Sequence, residues 1–157
     1  MVLMQNLMDH KMDFSQQLDI NEFRSEINVG SFIITKDQIE KFCEVSGERI
    51  IAISGSNSIA APPTFINSLP IQHFTPKILQ KENYNKLLGG QSIECENHIR
   101  DGDEITIKSR GIEIYEKTGR SGHMVFAVFE CSYFNQTGSL VSKKQDTFIW
   151  KNYAKSL

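Results

Sequence analysis

From residue 89 to residue 150 the apolar positions read as three long strands joined by two tight turns. Ile105 and Ile107 alternate with Thr106 and Lys108, the two-residue period of a strand with one buried face. Beyond Gly111 the apolar set moves to Ile112 and Ile114, so the parity flips and predicts a bulge or sharp bend near Arg110-Gly111. Residues 123–134 begin with Met124, Val125, Phe126, Ala127, Val128 and Phe129, apolar on both faces. One face is expected to meet a helix and the other a partner or a covering segment. Residues 140–150 close the sheet after a turn at Gly138.

Upstream the period changes. Thr35 followed by Gln38 fits a capping box, and Ile39, Phe42 and Cys43 then share one helical face up to Ser46-Gly47. The run Ser54-Gly55-Ser56-Asn57-Ser58 is turn-rich, and Pro62-Pro63 resets the chain. Thr64 is expected to cap a central helix with Phe65, Ile66 and Leu69 on its apolar face, reaching His73 or Phe74. Pro70, which lacks a backbone donor, makes it short or kinked. Residues 75–85 read as an irregular or helical crossing, and Leu87-Leu88-Gly89-Gly90-Gln91 as the lead into the sheet. Residues 1–30 are polar and irregular, with a helical tendency over 18–27. They are read as an extension to a single domain over 31–157.

Size and charge narrow the classes. The chain has 157 residues, a net charge of −2 and scattered basic residues, which gives no footprint for nucleic acid. Three cysteines, Cys43, Cys95 and Cys131, are an odd and widely spaced set, so a reduced, cytoplasmic protein is expected, with the thiols packed as small apolar groups. Met1, Val2, Leu3, Met4, Leu7 and Met8 are interrupted by polar residues, and neither a signal peptide nor a membrane span is expected. The glycine–serine loop lacks the lysine of a P-loop, and Asn135-Gln136-Thr137 reads as a turn. His10, His98 and His123 have no metal-ligand spacing, so no metal is expected.

Four segments carry a family likeness: Ala61-Pro62-Pro63-Thr64-Phe65, Arg100-Asp101-Gly102-Asp103, the run from Ile114 through Tyr115-Glu116-Lys117-Thr118-Gly119-Arg120-Ser121-Gly122, and Asn135-Gln136-Thr137-Gly138. Together they resemble the N-terminal-type half of the MaoC-like, FAS1-like dehydratases, and the non-catalytic subunits of mycobacterial-type (3R)-hydroxyacyl-ACP dehydratases. The resemblance implies an α+β hot-dog fold, an antiparallel sheet wrapped around a central helix, with no cofactor. It also implies a dimer through edge-to-edge sheet pairing, which suits the doubly apolar segment at Met124 to Phe129. Catalytic relatives carry Asp-x-Asn-Pro-x-His after the first helix. One group of that dyad moves a proton at carbon while the other handles the hydroxyl, and a helix N-terminus holds the thioester oxygen.

Here that stretch reads Gly47-Glu48-Arg49-Ile50-Ile51-Ala52-Ile53. Glu48 falls near the expected aspartate, Ile53 stands where the histidine would be, and the dyad is absent. Glu48 and His73 are the two candidates for a substituted acid or base. By the same resemblance, Pro63, Thr64, Phe65, Gly89, Gly90 and Gln91 border the acyl crevice. Lys117 and Arg120 are charges for an acidic partner, or simply a solvated turn. The implied function is half of a dehydratase acting on (3R)-hydroxyacyl or enoyl thioesters of CoA or acyl carrier protein. The chain would form a homodimer, or a heterodimer with a catalytic hot-dog subunit. An acyl-thioesterase is disfavoured by the lack of Asp or Glu over 64–74, and a non-enzymatic acyl-binding homodimer is the third alternative.

Overall fold

The computed structural model describes residues 18–80, 84–120 and 122–152. The extension's residues 1–17, with His10, lie outside the described residues. A short helix α1 (Ile20–Arg24) is capped by Asp19, whose carboxylate accepts from the Asn21 and Glu22 amides. Strand β1 (Ile27–Ile33) follows and runs through residues 30 and 31, where the sequence reading divided extension from domain. Helix α2 (Lys36–Ser46) begins with both bonds of the capping box: Gln38 donates its amide to Thr35 Oγ1, and Thr35 donates its amide to Gln38 Oε1. It ends at Gly47, whose left-handed φ of 74° glycine adopts without steric cost.

A two-residue pair of strands, β2 (Ile51–Ala52) and β3 (Ile59–Ala60), occupies the turn-rich stretch. The expected central helix is reduced to a 3-10 segment over Pro63–Ser68. Thr64 does not cap it; Pro62 occupies the cap position without a side-chain bond. Leu69 leaves the segment in an extended conformation, as a residue before proline is pushed to do, so His73 and Phe74 follow in irregular chain. A second 3-10 segment covers Lys77–Gln80.

Four long strands follow: β4 (Tyr84–Cys95), β5 (Glu104–Gly119), β6 (Gly122–Phe134) and β7 (Leu140–Asn152). With β1 they form one antiparallel sheet in the order β1-β5-β6-β7-β4. Two expectations are corrected here. Leu87 to Gln91 does not merely lead into the sheet but forms the middle of β4, with a bulge between Leu88 and Gly90. The doubly apolar β6 lies at the centre of the sheet, so its backbone is already paired on both sides and cannot make an edge-to-edge contact. The edges are β1 and β4.

The predicted parity flip is present as a bulge between Gly111 and Glu113. Gly111 has a specific reason to lack a side chain, because a Cβ there would stand 2.3 Å from Phe23 Cζ. The bend thus receives the ring of α1, which is fully buried against Phe129 at 5.4 Å between centroids.

The inner face of the sheet carries two apolar clusters. Ile39 and Cys43 of α2 with Phe65, Ile66 and Leu69 cover Ile105, Ile107, Cys131, Tyr133 and Val141. Phe23, Ile78 and Leu79 cover Val125, Ala127, Phe129 and Trp150. Each large aliphatic or aromatic side chain so buried stabilises the fold by about 1.5–3 kcal/mol. The sheet therefore closes over α2 and the two 3-10 segments.

Candidate functional site

Glu48 sits one residue beyond the cap of α2, half-buried, and its carboxylate accepts a hydrogen bond from Thr64 Oγ1 at the start of the 3-10 segment. The structure thus brings together Glu48 and Thr64, two of the residues singled out in the sequence. It does not bring Glu48 to His73. No histidine lies among Glu48's described partners, and Ile53, just after β2, stands where the dyad histidine would be. Cys43 nearby is a packed thiol, pushed up from its ordinary pKa by burial and then by the Glu48 charge.

His73 belongs to a different constellation. Its ring stacks on Phe129 (4.6 Å between centroids, 25°) and meets Phe148 at 5.6 Å. Nδ1 lies 2.9 Å from Ser109 Oγ, and Nε2 lies 3.5 Å from Asp146 Oδ2 without a hydrogen bond of its own. Asp146 also accepts from Gln91 Nε2 at 2.7 Å and faces Lys144 Nζ at 3.4 Å. Lys144 in turn reaches Asn67 Oδ1 at 3.5 Å. The side chains of His73, Asp146 and Lys144 are only 7%, 4% and 1% exposed. The group is thus a polar belt, buried at its centre, drawn from β4, β5 and β7, the first 3-10 segment and the loop after it.

Register explains how charged residues reach the inside. Opposite the buried β6 residues Phe129, Cys131 and Tyr133 stand Asp146, Lys144 and Ser142 of β7. Alternation then places Ser142, Lys144, Asp146, Phe148 and Trp150 on one inner face. Burial pushes the Asp146 carboxyl up, but the His73 ring, the Gln91 amide and the Lys144 charge outweigh it and hold the group below its ordinary range. Burial drives the Cys131 thiol and the Tyr133 phenol upward, and Tyr133 Oη has no hydrogen-bond partner.

The remaining expected positions divide. Phe65 is core, packed edge-on against Phe42. Pro63 is exposed beside a narrow crevice between the 3-10 segment and Cys95, Asn97 and Ser142. A Cβ on Gly89 would lie 2.6 Å from Ile149 Cδ1, so Gly89 is a packing position, while the space at Gly90 is open. Gln91 joins the belt. Cys95, expected to be packed like the other thiols, is exposed on β4. Sequence reasoning missed Ser109, Lys144 and Asp146; following the parity of Trp150 and Phe148 backwards along β7 would have found the last two.

Among the described residues no group of side chains could hold a metal ion, and no helix is long and apolar enough to cross a membrane.

The model of the FAS1-like dehydratase domain region matches residues 23–144. No curated protein matches the chain in sequence. Solved structures that match include the truncated HadBC (3R-hydroxyacyl-ACP dehydratase) complex from Mycobacterium tuberculosis, at 14% identity and a TM-score of 0.62, over 85% of this chain and 98% of that one. The ChsH1–ChsH2 complex from the same organism matches at 14% and 0.64, over 82% and 86%. The MaoC-like dehydratase from Rhodospirillum rubrum matches at 14% and 0.59, over 87% and 99%. At such identity these structures show the shared hot-dog fold. The family match settles membership: the chain belongs to the FAS1-like dehydratase family.

Proposed function

We propose that this FAS1-like dehydratase domain is the non-catalytic, acyl-binding half of a hot-dog dimer acting on (3R)-hydroxyacyl or enoyl thioesters. The observation that carries the reading is the loop after α2. Its carboxylate, Glu48, is engaged by the Thr64 hydroxyl, and Ile53, which stands where a histidine would be supplied, follows the short strand β2. Elimination of water needs one group to take the proton from the carbon next to the thioester carbonyl and one to protonate the departing hydroxyl. A loop without that pair leaves both tasks to a second subunit.

Strand β4 supports the pairing. It is a twelve-residue edge strand, and Leu87 and Leu88 are 49% and 59% exposed on it. An exposed edge of that length is a template for another strand. The solved structures named as HadBC and ChsH1–ChsH2 complexes are assemblies of different chains, which favours a heterodimer over a homodimer. The carrier is CoA or acyl carrier protein, and the compartment is the cytoplasm.

The test is hydration of crotonyl-CoA and longer enoyl-CoA thioesters, followed by loss of enoyl absorbance. The purified chain alone is expected to be silent, and to support turnover when mixed with a dyad-bearing hot-dog subunit. Turnover by the chain alone that His73→Ala or Glu48→Gln abolishes would overturn the accessory role. Silence in both cases would leave a non-enzymatic acyl-binding protein.

A further inference from the structure

Lys41 and Lys108 each hold a carboxylate at 2.8 Å, that of Asp37 and that of Glu26, and Lys144 faces Asp146 with its side chain only 1% exposed. Lys86 differs from all three. It stands opposite Trp150 on the edge strand β4, with its ammonium 3.8 Å from the centroid of Phe148 and 5.3 Å from that of Trp150. Those two rings meet at 6.0 Å and 61°, so the amine rests on an aromatic shelf. Among the described residues no carboxylate forms an ion pair with it. The residue is exposed, because β4 closes one side of the sheet. A strand added to that edge would engage the backbone of β4, whereas the Lys86 side chain leaves on the inner face.

This setting favours the neutral amine. Burial against the rings lowers the Lys86 ammonium from its ordinary pKa, and the Asp146 charge recovers only part of the shift. At Lys41 the hydrogen bond to Asp37 and its charge push the other way. Lysine becomes a nucleophile when an apolar environment disfavours its charge. The same rings offer an apolar surface to an acyl group, and acylation removes the charge that burial disfavours.

We infer that Lys86 is a modification site whose amine takes the acyl group of an acyl thioester. The Nζ lone pair attacks the thioester carbonyl carbon, the C–N bond forms and the C–S bond breaks. The carrier departs as its thiolate and takes up the proton that nitrogen gives up. The product is a neutral amide lying on Phe148 and Trp150 together with a free carrier thiol, with no change in oxidation state. The inference rests on the reading above only for the class of donor. It requires neither the dyad nor a partner subunit, so silence in the hydration assay leaves it standing.

The experiment is incubation of the full chain with butyryl-CoA at neutral pH, followed by digestion and mass spectrometry of each lysine's butyryl occupancy over time. Lys86 is expected to be acylated several times faster than Lys41. Lys86→Arg should remove that share of the acyl groups and leave the rate at Lys41 unchanged. In concentrated urea, where the shelf is gone, the two rates should converge. Acylation of Lys86 no faster than Lys41 in the folded chain, no acylation of either, or a preference that persists in urea would overturn the inference.

Discussion

Two carboxylates in this domain, Glu48 and Asp146, differ in what surrounds them. Glu48 lies in the loop after α2, half-buried, with one neutral partner, the Thr64 hydroxyl. Asp146 lies on the inner face of β7 with three: a histidine ring, a side-chain amide and an ammonium. The first falls near the position where the resemblance implies a catalytic aspartate, yet it has the simpler chemistry. The second has the richer chemistry at a position no motif marks. Where a family places its chemistry and where a given chain concentrates its buried charge are separate questions, and only the environment of each group answers the second.

The sharpest way to break the comparison is to strand the Lys144 ammonium. Asp146→Ala leaves it buried without a counter-charge, and such a change is expected to cost about 3–5 kcal/mol in urea unfolding. The paired replacement Lys144→Met/Asp146→Leu should recover most of that loss, since neither charge then needs solvation. If Asp146→Ala proved as mild as a surface change, the belt would be reached by water and the contrast with Glu48 would collapse.

Acid titration sharpens the same contrast at smaller amplitude. The folded-state pKa of Asp146 is depressed, so its contribution to stability is fully present above its unfolded value, about 3.9, and is lost as pH falls through the lower folded value. The stability gap between the wild type and Asp146→Asn should therefore narrow as pH drops below about 4. Asp146→Asn should still keep an acid slope of its own. Burial raises Glu130, but Arg110 and Gln145 outweigh it and hold that carboxyl down as well. A gap that stayed constant down to pH values where the whole protein unfolds would show that Asp146 gains nothing from its neighbours.

Local signals were legible where local physics decides the outcome. The Thr35–Gln38 cap, the Gly47 terminus and the bulge after Gly111 follow from short-range rules, and each is present. The central helix was overread because its apolar spacing looked helical, whereas two prolines bracket it and permit only six residues of 3-10 geometry. The first part of strand β4 was read as a crossing and a lead into the sheet because its sequence, Asn85-Lys86-Leu87-Leu88-Gly89-Gly90-Gln91, lacks alternation; its order comes from pairing with β7, not from its own pattern. The belt was hidden for a similar reason. Lys144 and Asp146 have the composition of a solvent face, and only the register against Cys131 and Phe129 turns them inward. Places where binary patterning fails in this way tend to be functional or strained.

The smallest expected effect belongs to Glu48, and it bears directly on the accessory reading. Glutamine preserves the length of the side chain and an oxygen able to accept from Thr64 Oγ1, so Glu48→Gln exchanges a charge-assisted hydrogen bond for a neutral one at a half-exposed position. The loss in unfolding free energy should stay within about 1 kcal/mol. Enoyl-CoA hydration by the chain together with a dyad-bearing partner should keep its kcat, because the proton-moving groups would belong to the partner. A drop of about a hundredfold or more in kcat, the scale of losing a general acid or base, would place Glu48 at the reacting atoms, and the loop after α2 would then be the catalytic centre after all.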